Sequence, residues 1–434
     1  MTPPPAPLPT AASADAGAWR IENLGPCTVP SPVPATMFVP DDDAVLLDPS
    51  VSPSSPNSSH VAVEKAGPRK NLFFKPAEAV AAVVTCGGLC PALNDVVRAI
   101  VNTLTFRYGV PRILGFRYGF EGIFSKNTVE LTPSYVRDIH RFGGTILGTS
   151  RGPQPIGALV DNLVELGVSV LFTIGGDGTQ RGAVAIANEI RSRNLPISVV
   201  GVPKTIDNDI AYVERTFGFE TAVQLAQDAI QAVHEEARSA RNGIGIVKLM
   251  GRESGFIALH AALASGDVNL LLLPETKFTF DAVVNAVVER FKTRAHCVIV
   301  VSEGAGQELC QAASLGTDAS GNKKFADIGV HLKDILGARL SALKIEHTIK
   351  YIDPSYTIRS APPVASDAIF ALQLGQMAAH AAMAGKTAMI VGMIHGYIVH
   401  APMARAVESR KKVDTRGQDF QSFLDASGMA LSLE

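Results

Sequence analysis

An α/β fold with mainly parallel sheets is predicted for this chain by three observations. Apolar runs of strand length alternate repeatedly with segments of helical period. Most of those runs end in glycine-rich turns, as expected where ligands sit at the carboxyl edge of a sheet. At 434 residues the chain exceeds what one core usually supports, so two domains are expected. A hydrophobic fraction of 47% fits a filled interior, and a net charge of -2 gives no general attraction for nucleic acid or anionic membrane. No apolar run reaches the ~18 residues of a membrane span. Five cysteines without a regular framework point to a reducing compartment. Cys86 and Cys90 match neither the redox nor the zinc spacing and read as small residues of a tight loop.

Taken in order, residues 1–71 are rich in Pro, Ser and Ala, carry the acidic run 41–43, and read as a disordered leader. Arg20 is the only basic residue before Lys65, whereas transit peptides are Arg-rich. A cytoplasmic location is therefore expected, with organelle import through the leader as the alternative. Residues 79–85 form a strand, followed by the loop 86–95 and a helix on which Val96, Val97, Ile100, Val101 and Leu104 share a face, with Asn94 as its expected N-cap. Strand, glycine loop, helix is a phosphate-binding layout, and simple tight turns share it. After the strand 113–116, Tyr118 offers a ring for stacking or for packing. The glycine-flanked turn 143–152 carries Arg151 at its tip, a planar fork suited to phosphate.

The stretch 175–209 holds two sharp turns. Gly175-Gly176-Asp177-Gly178-Thr179 follows the strand 168–174 and opens a helix whose N-terminus attracts phosphate. Residues 203–209 follow the strand 197–202, so both turns leave one sheet edge if the strands are parallel neighbours. Beyond an amphipathic helix at 221–240, the strand 244–250 ends in Gly251-Arg252-Glu253, and the strands 270–273 and 297–301 end near Glu275 and Glu303. The loop 316–324, the helix 327–343, a segment 350–359 with Lys350 and Arg359 beside tyrosines, the helix 366–384 and the strand 387–393 follow. From Arg405 onward the chain reads as a surface helix and a frayed tail.

Glycine turns at 87, 143 and 175 suit the phosphates of a donor on the first domain, and the cations Arg252, Lys350, Arg359 and Lys248 suit an anionic acceptor on the second. Phosphoryl transfer needs positioned phosphates, a divalent metal and a base for the attacking hydroxyl. Magnesium takes few protein carboxylates beside phosphate oxygens, so Asp177 at the donor turn suffices for it. The aspartates of the second turn are the candidates for the base.

The motifs TCGGLCPALND, GGTILGTSRG, GGDGTQ, PKTIDND, VKLMGRESG, VSEGAGQ and KYIDPSYTIR jointly resemble the 6-phosphofructokinase family, most closely its plant-type and trypanosomatid ATP-dependent branch, over about residues 72–410. GGDGT alone is less specific, since lipid kinases and NAD kinases carry it. The resemblance implies two Rossmann-like three-layer domains: an ATP-binding one of residues 72–220 plus about 359–400, and a fructose 6-phosphate one of residues 221–358 plus about 401–412, with a tail at 413–434. It implies transfer of the γ-phosphoryl of ATP, with Mg2+, to the 1-hydroxyl of fructose 6-phosphate by an allosteric glycolytic homotetramer. Gly88, Arg151, Gly152, Gly176, Asp177, Gly178 and Thr179 correspond to ATP-binding positions, with Asp177 on the metal. Thr205, Ile206 and Asp207 correspond to the sugar strip, with Asp207 as the base and Thr205 and Arg252 in the catalytic set. Met250, Gly251, Arg252, Glu303, Tyr356, Thr357, Ile358 and Arg359 correspond to the remaining sugar-phosphate contacts.

Gly178 and Lys204 bear on the donor. Pyrophosphate-dependent relatives carry aspartate where Gly178 stands, and that carboxylate would repel a nucleotide α-phosphate, so ATP is expected here. Lys204 occurs with either donor. A pyrophosphate-dependent enzyme and a non-catalytic regulatory subunit are the alternatives, the latter disfavoured because Asp177 and Asp207 are both kept. Three departures stand out: Ala92 replaces a usual glycine, which is costly if its φ is positive, Lys350 stands where bacterial members have arginine, and Gly243 where they have another.

Overall fold

The computed structural model describes residues 19–49, 61–310, 316 and 324–433. Its main strands follow in chain order as β1 (Val80–Thr85), β2 (Arg112–Phe116), β3 (Thr128–Glu130), β4 (Val170–Gly175), β5 (Ser198–Pro203), β6 (Gly243–Leu249), β7 (Leu270–Leu272), β8 (His296–Ser302), β9 (Thr348–Ile352), β10 (Met389–Ile394) and β11 (Tyr397–Pro402). One sheet has the order β11-β10-β5-β4-β1-β2-β3, parallel except for the antiparallel edge strands β3 and β11. The other has the order β7-β8-β6-β9 and is parallel throughout. This is the expected α/β class. The inner strands are unbroken apolar runs because helices cover both faces: β4 and β5 are buried at every residue.

The helices that matter here are α1 (Leu93–Thr103), α2 (Asp177–Ser192), α3 (Phe219–Arg238), α4 (Phe256–Ser265), α5 (Ile328–Ala342), α6 (Ser355–Arg359), α7 (Ala365–Met383) and α8 (Gln418–Ser427). After the second sheet, α7 carries the chain back to the first, packing Phe370, Leu374 and Ala378 into the core that α1 shares. Asp327 caps α5, its Oδ1 accepting from the N–H groups of Gly329 (3.1 Å) and Val330 (3.2 Å).

Asn94 does not cap α1, contrary to expectation. It lies within the first turn, where its amide donates to the carbonyl of Phe142 (3.1 Å) and its Oδ1 accepts from the N–H of Ile146 (3.0 Å), tying down a loop distant in sequence. The residue before α1 is Ala92, and it does adopt a left-handed conformation, φ 70°. Its methyl is buried, and that burial offsets part of the roughly 1–2 kcal/mol such a backbone costs a residue with a Cβ.

The leader is not disordered over residues 19–49 and 61–71; residues 1–18 and 50–60 lie outside the described ones, as does most of the loop 316–324. Glu22–Asn23 pairs with Lys386–Thr387, Val29–Pro30 with Asn71–Leu72, and Ala44–Leu46 with Ala62–Glu64. Trp19 is buried edge-on against Tyr212, with ring centroids 4.8 Å apart. Behind β11, Glu64 joins Arg69 (2.9 Å), Lys386 (3.0 Å) and His400 (2.9 Å) in a shielded cluster. Polar composition masked this, because what holds the leader is charge pairing and strand addition rather than a periodic apolar face. The expected frayed tail is also folded: Phe420 and Phe423 of α8 are buried, and α8 packs on α4.

Burial alone would raise the Glu64 carboxyl, but the hydrogen bond and charge of His400 and the ammonium of Lys386 bring it down to about 2. Burial holds His400 itself below its ordinary value, so near neutrality the lasting cations beside Glu64 are Arg69 and Lys386. A carboxylate depressed in the folded state stabilises it above the unfolded value of 4.5, and that contribution is lost as pH falls towards 2. Glu64→Gln should therefore lower stability by about 3 kcal/mol at pH 7, and the gap from the parent protein should narrow as pH falls below 4.5 and close only below about 2. Equal melting temperatures at pH 7 would show that the cluster does not hold the leader.

Candidate functional site

β4 and β5 run parallel in register, from Val170 beside Ser198 to Gly175 beside Pro203, so the turns that follow leave the sheet together. Two contacts stitch them. The Lys204 N–H donates to the Gly175 carbonyl (2.9 Å), and the buried Gln180 side chain donates from Nε2 to the carbonyls of Gly175 (2.9 Å) and Val202 (3.4 Å). Gly175 has no room for a side chain, since a Cβ there would lie 2.2 Å from Thr179 Oγ1. Gly176 precedes α2, whose first residue is Asp177, so the positive end of the helix dipole meets the space above the sheet edge.

That space is a cleft of about 900 Å³. Gly88 reaches it from the loop after β1, Arg151 and Gly152 from the 143–152 turn, and Gly176, Asp177, Gly178 and Thr179 from the start of α2. Lys204, Thr205, Ile206, Asp207 and Asp209 come from the turn after β5, Arg252 from the turn after β6, and Arg359 from α6. The two sheets thus contribute opposite walls. A Cβ at Gly178 would meet nothing within 4 Å, so the space above that residue is open.

The second turn is locked by its own side chains. Thr205 Oγ1 donates to Asp209 Oδ1 (2.6 Å) and accepts from the Asp207 N–H (3.2 Å). Asp209 therefore holds the turn, and Asp207 is left with a buried Oδ1 lacking a hydrogen-bond partner. Burial first, then the charges of Asp209 and Glu303, push the Asp207 carboxyl up to about 7 against the pull of Arg359 and Arg410. Burial raises Glu303 as well, opposed by Arg359 and Arg252, and it pulls down Lys204, whose ammonium rests on the Gly88 carbonyl. Asp177 sits between Arg181 (3.1 Å) and Arg410 (3.5 Å).

Other expected site residues stand back from the cleft. Met250 is buried behind it and its Sδ accepts from Arg359 Nε (3.0 Å), which orients that guanidinium. Gly251 has φ 117°, and its carbonyl accepts from Ser302 (2.7 Å), shaping the turn that presents Arg252. Ile358 is core, whereas Thr357 is exposed and Tyr356 is 85% exposed, facing away from this chain. Two expected cations are not at the cleft. Lys248 is paired with Asp327 (2.8 Å) and Asp353 (2.9 Å), and Lys350, opposite Gly245 in mid-strand, reaches Glu236 of α3 (3.3 Å). The turn at Gly143 backs onto the Ser360 carbonyl, so only its far end, 150–154, lines the cleft. Cys86 and Cys90 are buried free thiols.

Sequence reasoning missed Arg181, Gln180 and Arg410. The first two lie on a helix already singled out, and Arg410 lies in the Arg410-Lys411-Lys412 run that read as surface charge. Among the described residues no cluster of His, Cys, Asp or Glu is arranged to hold a metal by itself. The single carboxylate of Asp177 at a helix N-terminus fits magnesium that takes its remaining ligands from phosphate oxygens and water.

The family model described as Phosphofructokinase matches residues 80–382. A Trypanosoma cruzi protein named ATP-dependent 6-phosphofructokinase is 48% identical over 82% of this chain and 74% of its own length. The Arabidopsis thaliana ATP-dependent 6-phosphofructokinase 1 is 47% identical over 87% of this chain and 80% of its own. Among solved structures, a pyrophosphate-dependent phosphofructokinase from Marinobacter aquaeolei superposes with TM-score 0.68 at 21% identity, covering 80% of this chain and 91% of that one, a likeness of fold.

The carboxylate pair gives a direct test. Asp209→Asn removes one of the charges that raise Asp207, so the Asp207 carboxyl should move down towards the ordinary range. Carbon-detected NMR titration of the aspartate carboxyls reads that shift, and an unmoved Asp207 would mean that the Asp209 charge does not contribute to its proton affinity.

Proposed function

The chain belongs to the phosphofructokinase family, and we infer from that membership and from the cleft that it is an ATP-dependent 6-phosphofructokinase. It transfers the γ-phosphoryl of ATP to the 1-hydroxyl of fructose 6-phosphate, giving fructose 1,6-bisphosphate and ADP. The observation that carries this reading is a helix N-terminus with its own carboxylate, set beside a half-buried carboxylate of raised proton affinity, with arginines from the second sheet opposite both. Such a site positions phosphates, holds a metal and takes a proton, which is what the reaction requires.

Asp207 is the base for the sugar hydroxyl, and Thr205 orients it through the turn. Arg252 and Arg359, from the second sheet and α6, face the transferring phosphoryl and the sugar phosphate; Met250, Gly251, Glu303 and Ile358 support them. Gly88, Arg151, Gly152 and the 176–179 turn take the nucleotide phosphates. Asp177 would hold magnesium, which when bound neutralises charge between donor phosphates. The donor half is the larger sheet, from residues 72–220 and about 359–402, since β11 belongs to that sheet; the smaller sheet with 221–358 is the sugar-phosphate half. A homotetramer is the proposed assembly, with the exposed Tyr356 and Thr357 turned to a neighbouring subunit. No described helix is long and apolar enough to cross a membrane, and a cytoplasmic location is proposed on the five free cysteines.

With magnesium and fructose 6-phosphate, the protein should turn over ATP, and turnover with pyrophosphate alone would overturn the donor assignment. Asp207→Asn should reduce kcat by ~10² or more with substrate binding largely kept. The base must be ionised to act, so kcat/KM should be high above pH 7 and fall as pH drops through about 7; an acid limb near pH 4 (roughly that of an ordinary carboxyl) would exclude Asp207. Gly178→Asp fills open space and should leave the melting temperature unchanged while weakening ATP binding through charge repulsion. Undiminished ATP affinity in that variant would separate Gly178 from donor choice.

A further inference from the structure

The segment after β11 crosses from one wall of the cleft to the other. Lys411 N–H donates to the Asp209 carbonyl (2.8 Å), Lys411 Nζ donates to the carbonyls of Val213 (2.9 Å) and Glu214 (3.0 Å), and Ser254 Oγ donates to the Lys411 carbonyl (2.6 Å). Two residues on, the Val413 N–H donates to Glu275 (2.9 Å). Arg410 itself makes a bridge with Ile210. The backbone at Arg410 is thus fixed to the second turn of the larger sheet and to the Arg252 turn of the smaller one.

Its guanidinium is held differently. It stands 3.5 Å from Asp177, 3.9 Å from Asp209 and 3.8 Å from Glu253, among carboxylates from both walls, and none of these reaches the 2.7–2.9 Å of a strong charge-assisted hydrogen bond. The buried Arg69, by contrast, meets Glu64 at 2.9 Å and the Lys65 carbonyl at 2.7 Å. A rigid main chain with a loosely shared side chain describes a cation that can redirect without the fold moving. A cation at this point also offsets Asp177 and Asp209, which line the same cleft as the phosphates it would receive.

We propose that Arg410 is a further phosphoryl-binding residue of the site, which screens Asp177 and Asp209 in the empty cleft and yields Asp177 to the divalent cation as it turns to the donor's phosphate oxygens. The proposal rests on the phosphoryl-transfer reading of the cleft. It makes opposite demands on two measurements, which a purely structural arginine would not. In Arg410→Met, Mn2+ binding followed by electron paramagnetic resonance without nucleotide should tighten about 3- to 10-fold, because a competing cation is gone. The kcat/KM for ATP should fall ~10-fold or more, because a positioned charge on the transferring group is lost. Asp177→Asn in the same background should cancel the Mn2+ gain.

Arg410→Lys keeps the charge and the main-chain bridge, and guards against a variant that fails to fold. Its Mn2+ affinity should stay within ~2-fold of the parent, with kcat/KM still reduced because an ammonium lacks the fork. Unchanged or weaker Mn2+ binding in folded Arg410→Met, or full turnover in Arg410→Lys, overturns the proposal. Absence of ATP turnover in the parent protein would instead overturn the functional reading, and the Mn2+ comparison stands or falls without it.

Discussion

Pairing of β4 with β5, carried to the last residue of each strand, is what the site depends on. With Pro203 opposite Gly175, the Lys204 N–H reaches the Gly175 carbonyl and the Gln180 amide bridges both strand ends. A one-residue slip would turn every side chain of one strand to the other face of the sheet and separate the two turns. The absence of a Cβ at Gly175 lets Thr179 fold back over the strand, which starts α2 at once and leaves Asp177 at the helix's positive end.

Electrostatics follow from that geometry. Placing Asp177, Asp207 and Asp209 on adjoining turns concentrates negative charge where phosphates must come, and the molecule answers with cations from different parts of the chain. Arg181 comes from α2, Arg252 from the second sheet, Arg359 from α6 and Arg410 from the segment after β11. Asp207 keeps a buried oxygen without a partner, and burial together with the charges of Asp209 and Glu303 raises its proton affinity. The same low-dielectric setting that would make this carboxyl an inefficient salt-bridge partner makes it serviceable as a base near neutral pH.

The described parts of the leader and the tail are structural. Short strands of the leader form small two-stranded sheets at the first sheet's periphery, Lys65 bridges to Val399 of β11, and the Glu64 cluster fixes them to Lys386 and His400, 322 and 336 positions away. The tail docks α8 onto α4 and, on its way, delivers Arg410. The leader has no amphipathic period and that of the tail is short, Phe420, Phe423 and Leu424 alone, which is why composition suggested disorder at one and fraying at the other. The same limit explains Asn94: a polar residue beside a helix start has the signature of a cap, and only the position of Phe142 and Ile146 shows that its amide is engaged elsewhere.

The sequence by itself determined the alternation of strands and helices, the glycine turns at their carboxyl ends and, through the joint motifs, the family. These are local properties: strand and helix periods, and turns that only glycine or short polar residues can make. It also pointed to Asp177, Asp207 and Gly178, because each lies within a few residues of a strand end. Which cations face them was decided by the tertiary structure alone. Lys248 and Lys350 look as suitable in sequence as Arg252 and Arg359, yet Lys248 is consumed by Asp327 and Asp353, and Lys350 emerges in mid-strand against α3. Arg410 looked like surface charge and lies in the cleft. Charge acts through space over a few ångströms, so its partners are set by how distant segments pack, and no spacing along the chain records that.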